Sequence, residues 1–269
     1  LQIAAIVVIA MVSAVIVGGS AILVSEAAIS AMLVVTLQPP GSGLSGARFI
    51  DSLLGGVIGI VVTSILPANP AAAMHRAAAT VLDEIAATIE DIALALDNRD
   101  GELADAAWNR AAAIEPDPLE QAIAAGNETL RLAPFLRGTR TRFGRYARAA
   151  VWIDSAITTV EAMSRGAVRA LRQGDNVPPA VSEAIREVAD AVRRLEGTLA
   201  EGGDPTAVRE PALRAAARAT YVLEQQTANL SVSAIVVQVR SAAVDMLRGS
   251  GLERDEAELL VREAVRSMA

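Results

Sequence analysis

The chain has no cysteine. It can therefore hold no disulfide, no thiolate metal site and no cysteine nucleophile. Lysine is missing too, so all 24 basic residues are arginine, and a Gly-rich phosphate loop with its lysine is ruled out. The single histidine, His75, stands beside Arg76 without the partners a metal site needs, and reads as an interfacial surface residue. Neither a G-x-S-x-G elbow nor an H-E-x-x-H helix occurs. With one His and no Cys, a nucleophilic triad has almost no parts to draw on. These absences predict no enzyme, no cofactor and no metal site. No stretch alternates with period two between turn signals, which leaves an all-α fold class.

Charge is missing from one end of the chain. From Leu1 to Leu66 the charged residues are Glu26, Arg48 and Asp51 alone, although the whole chain carries a formal net charge of −7. So apolar a segment needs more apolar surroundings than the polar remainder can supply, and lipid provides them. Spans are expected over about 1–17, 22–37 and 49–66, so about three crossings. Gly18-Gly19-Ser20 is the turn between the first two. Residues 38–47, with two prolines and three glycines, form the next loop. The chain begins inside an apolar run without a basic leader, so membrane sequence is expected upstream of it.

From residue 71 the period becomes helical with a wet face. Val81, Leu82, Ile85, Ile89, Ile92 and Leu96 alternate with Asp83, Glu84, Glu90 and Asp91. Pro and Gly then punctuate the chain, predicting helices over about 102–114, 119–132, 141–172, 180–200, 205–223, 232–248 and 253–268. Residues 231–239 are apolar but too short for a crossing, and read as a buried core helix. Residues 67–269 are thus a soluble helical-bundle domain following the transmembrane part.

Glu26 lies about one turn into the second span. A carboxylate there can carry a proton through a transporter, or sit hydrated at the interface. Arg48 and Asp51, three apart, open the third span. They can draw an anionic substrate towards a cavity, or pair to set the depth of the helix. Gly55, Gly56 and Gly59 make a small-residue face suited to close helix packing in lipid. Arg131, Arg137, Arg140, Arg142, Arg145 and Arg148 form a basic run interleaved with Phe135, Phe143, Tyr146 and Trp152. Such a run can lie on an anionic membrane surface. It can equally pair with the acids around Asp83–Asp91. Nucleic acid is the poorer partner for an acidic, membrane-tethered chain.

The residues from Ser20 to Pro70 carry a resemblance. SAILVSEAAISAMLVV, a Pro/Gly loop, Arg48-Phe-Ile-Asp51-Ser-Leu-Leu-Gly55-Gly56-Val-Ile-Gly59, and Leu66-Pro67-Ala-Asn-Pro70 together resemble the aromatic acid exporter family of actinobacterial type, also called fusaric-acid-resistance-like (FUSC). The resemblance implies a block of about six spans in two inverted groups, with the second group present here. It implies proton-driven efflux of aromatic carboxylic acids across the plasma membrane. It further implies a cytoplasmic domain at 67–269, a multi-pass topology and a homo-oligomer. The bilayer and an aromatic carboxylate are the expected partners. The alternative function is a membrane-anchored helical scaffold or regulatory protein without transport.

Overall fold

The computed structural model describes residues 2–16, 21–36, 54–55, 58, 70–132, 137–225 and 229–268. Among the described residues all regular structure is helical, and no strand occurs. The chain divides into two compact units, Leu1–Leu66 and Pro67–Ala269.

In the first unit α1 (Gln2–Ile16) packs on α2 (Ala21–Thr36). Both are aliphatic all round, so packing two faces together leaves others uncovered. Val8, Ile9, Val12 and Val15 of α1 are exposed, as are Ile29 and Met32 of α2. Three complete crossings are not shown. The two helices have 15 and 16 residues, against about 20 for a full hydrocarbon core. The third expected span lies outside the described residues except for Leu54, Gly55 and Ile58, which are helical.

The second unit holds α3 (Pro70–Asn98), α4 (Gly101–Ala112), α5 (Asp117–Leu132), α6 (Arg137–Gln173), α7 (Pro179–Glu201), α8 (Thr206–Gln225), α9 (Leu230–Gly249) and α10 (Arg254–Met268). Local chemistry sets their ends. Pro70 and Pro179 occupy first-turn positions, where a missing N–H costs nothing. The chain leaves α3 through Arg99 in the left-handed region, φ 54°. The Asp100 carboxylate then accepts the Leu103 N–H at 3.0 Å and caps α4. Gly202, φ 71°, ends α7. The long α6 starts at Arg137, some four residues before the expected start. There the Arg140 guanidinium donates to the Leu130 carbonyl at 2.7 Å, tying the first turn of α6 to the last turn of α5.

Five helices close a ring. α3 packs on α6 and α7, α7 on α8, α8 on α9, and α9 back on α6. α4 and α5 cover the α3 side, and α10 covers α8 and α9. Among the described residues α9 is the helix long and apolar enough to cross a membrane. Its Val232, Ile235, Val236, Val239, Ala243 and Met246 are buried, and it also touches α7, so it serves as the bundle's core helix. Alanines on α6, α7 and α8, including Ala167, Ala184, Ala189, Ala215 and Ala216, keep the helices close.

Gly126 brings α5 against α6: a Cβ there would fall on the buried Phe143 ring. Gly197, in the body of α7, faces open space. Substitutions at these two glycines are therefore expected to have opposite signs. Gly126→Val should destabilise by about 1–3 kcal/mol through overpacking. Gly197→Ala should stabilise by about 0.5–1 kcal/mol through helix propensity. Thermal unfolding of the second unit, followed by circular dichroism, checks both; equal shifts of one sign would contradict the packing described.

Candidate functional site

Of the residues expected to carry transport or helix packing, Glu26 is exposed on α2, and Gly55 is exposed with room for a Cβ among the described residues. Arg48, Asp51, Gly56 and Gly59 lie outside the described residues.

The basic run is split by its helix. Arg131 at the end of α5 is exposed, as are Arg140, Arg142 and Arg148 on α6, while Arg145 is half-buried. Arg137 has its backbone in the first turn of α6, and its side chain is outside the described set. Two of the acids of α3 around Asp83–Asp91 are held by other arginines. Asp91 pairs with Arg110 and Glu90 with Arg193 at 2.7 Å. Among the described residues no ion pair joins α3 to the run. The rings do not form one exposed face with the arginines either. Phe143 and Tyr146 are core residues, Trp152 is half-buried, and Phe135 lies outside the described residues. In a helix, ring and guanidinium one or two positions apart face different ways, so interleaving in sequence separates such neighbours in space.

His75 is not the surface residue its neighbour Arg76 suggested. It is half-buried, with Nδ1 2.9 Å from the Tyr146 hydroxyl and the two rings 6.0 Å apart. Burial pushes the Tyr146 hydroxyl up; Glu196 adds to this, and Arg142 and Arg145 oppose it.

A cleft of about 630 Å³ between α6, α9 and α10 holds residues that sequence reasoning missed. At its base Asp245 of α9 is buried and accepts a hydrogen bond from the Ser155 hydroxyl of α6 at 2.8 Å. Burial raises the Asp245 carboxyl above the usual range, against the Ser155 bond and the charges of Arg248 and Arg254. Arg240, Arg254, Glu258 and Arg262 line the mouth. The arrangement favours the protonated carboxyl inside the bundle. One signal was available in the sequence: Asp245 is an acid within a helix that is long and apolar enough to cross a membrane.

The consequence for stability has a definite sign. A carboxyl raised in the folded state binds protons more readily than in the unfolded chain. Its contribution is full below the unfolded carboxylate value and is lost as pH rises through the folded value. Asp245→Asn removes that dependence. The melting temperature of wild type relative to Asp245→Asn is therefore expected to fall as pH rises from about 4 upwards. A difference that stays constant with pH would show that Asp245 does not titrate between the states.

Similar proteins were found among curated sequences. An uncharacterized protein of Corynebacterium glutamicum is 31% identical over 240 residues, covering 87% of this chain and 62% of that protein. Proteins of Mycobacterium bovis and Mycobacterium tuberculosis, each named "Putative arylamide transporter", are 32% identical over 228 residues, covering 80% of this chain and 59% of their own length. No family model matches the chain, and no solved structure matches it. The chain thus spans about three-fifths of the length of the curated relatives it matches. The matches cover more of the chain than Pro67–Ala269 alone contains, so they reach into both units.

Proposed function

We propose that the chain is part of a multi-pass efflux transporter of the plasma membrane, moving aromatic amides or aromatic acids outward. The observation that carries this reading is the α1–α2 pair. Two helices packed together leave Val8, Ile9, Val12, Val15, Ile29 and Met32 exposed, a surface suited to lipid, with Glu26 as the one carboxylate on them. The mycobacterial relatives' printed name supports the substrate class. In this reading residues 1–66 cross the bilayer about three times and join further spans in a homo-oligomer. Glu26 exchanges the coupling proton, and Arg48 with Asp51 receives the substrate's polar group. Gly55, Gly56 and Gly59 set the approach of neighbouring helices. Residues 67–269 lie in the cytoplasm, exposed arginines such as Arg142 rest on the anionic leaflet, and no catalytic step occurs.

A second reading has an observation of its own. The second unit closes a ring of helices around its own core, as a scaffold held at the membrane by its spans would require.

Uptake into inverted vesicles bearing the protein at its full natural length decides between them. Under an imposed proton gradient, an aromatic amide or carboxylate should accumulate above the level of empty vesicles. Glu26→Gln should abolish the gradient dependence, and Arg48→Ala should weaken substrate dependence. Accumulation equal to that of empty vesicles, with both substrate types, favours the scaffold.

A further inference from the structure

A second cavity of the helical unit, sharing Arg248 with the Asp245 cleft, is lined by several arginines. It measures about 830 Å³ and lies where α6, the end of α7 and the α9–α10 connection meet. Volumes of this order are usual for small-molecule sites. Arg145 and Arg148 enter it from α6, and Arg248 enters from the end of α9. The Arg248 guanidinium lies over the Trp152 ring, 3.5 Å from its centroid. Val151, Leu199 and Leu252 give the walls an apolar character.

These arginines differ from those that fasten one helix to another. Arg110, Arg172, Arg186, Arg193 and Arg218 each hold a carboxylate. Among the described residues Arg145, Arg148 and Arg248 hold none. The Nε atoms of Arg145 and Arg248 are buried and have no hydrogen-bond partner. Glu253 is the one carboxylate on the lining, against three guanidinium groups. A buried donor without an acceptor is costly, and arginine forks match the two oxygens of a carboxylate or phosphate. Gly202 keeps the place open: a Cβ there would fall on the Arg145 guanidinium, and its φ of 71° suits glycine.

We propose that this cavity binds a small organic oxyanion, a carboxylate or phosphate joined to a flat apolar body. The oxyanion is held by Arg145 and Arg148, and the body lies along Trp152 and the apolar wall. The site is independent of the transport reading, because its occupancy is measured without any gradient or movement of solute.

Trp152 reports on the site once the other tryptophan is removed. The full chain carrying Trp108→Phe, in zwitterionic lipid nanodiscs, is titrated with benzoate, phenyl phosphate and neutral benzyl alcohol while Trp emission is recorded. At least one of the two anions should change the emission saturably, and benzyl alcohol should not. Arg145→Gln and Arg148→Gln should each weaken that anion tenfold or more. Arg172→Gln, which removes the pair with Asp105 elsewhere on the bundle, should leave it unchanged. Arg148 is exposed, so its variant keeps the test sound if Arg145→Gln fails to fold. The same change in phosphatidylglycerol nanodiscs without added anion, lost in Arg148→Gln, upholds the site with a lipid headgroup as its source. A response to benzyl alcohol equal to that of the anions overturns the proposal. So does the absence of any saturable response, or undiminished affinity in Arg148→Gln.

Discussion

A helix with the composition of Leu230–Gly249 has two apolar surroundings open to it, a bilayer or the interior of a bundle. Here Ile235, Val236, Val239 and Met246 are buried, and α6, α7, α8 and α10 all pack on α9. Burial of each large aliphatic side chain contributes about 1.5–3 kcal/mol. Lipid would give a similar return for these residues but not for Arg240 at mid-helix, where an arginine costs about 2.5–3.5 kcal/mol, and Asp245 and Arg248 nearer the end add smaller costs. The charges therefore decide the choice. They also explain why both cavities border α9: its polar residues need openings in an otherwise tight interior. Gly166 of α6 stands opposite Ile235, where an added Cβ would lie 3.0 Å from Cγ1, so the covering helix approaches closely.

Arginine then does the surface work that a mixed set of cations shares in other proteins. Arg218 bridges Glu183 and Glu187, fastening α8 to α7. Arg193 reaches Glu90 and Arg186 reaches Asp97, fastening α7 to α3. Pairs this exposed are worth about 0–1 kcal/mol each. They set the register of helices that the apolar core already holds together. Planar forks suit this role, because one guanidinium can serve two carboxylates from neighbouring turns. The arginines outside such pairs are informative for the same reason. Arg248 borders both cavities and lies near enough to Asp245 to oppose its raised carboxyl. The charge state of Asp245 and the cationic face over Trp152 are therefore not independent.

The helices of the second unit were legible in the sequence because their limits are local chemistry. Pro179, Gly202 and the Asp100 cap act within one turn of where they stand, and the apolar stripe of α3 names its own buried face. Partners were not legible. Nothing in the order of residues says that Asp91 belongs to Arg110 and not to the run at 137–148, since that depends on which helix lies beside α3. His75 shows the same limit: its half-buried place follows from Tyr146, which is 71 residues away. Two of the cavity arginines, Arg145 and Arg148, fell into a run that looked uniform, and only helical rotation separates half-buried Arg145 from exposed Arg142. The crossings at 1–66 were read from composition, and α1 and α2 show helix without the length of a full span.

The two units answer one composition in opposite ways. Both are rich in Ala, Val, Ile and Leu. In Pro67–Ala269 those residues recur at helical spacing with charges between them, so folding can hide the one set and wet the other. In α1 and α2 there is almost nothing to wet, and no rotation of the helices offers water a polar face. An aqueous unit of that kind would carry an exposed apolar patch inviting association. The alignments with the curated relatives extend into both units. Under the proposed function lipid covers the apolar faces of the pair, and Glu26 is the group on it that lipid disfavours.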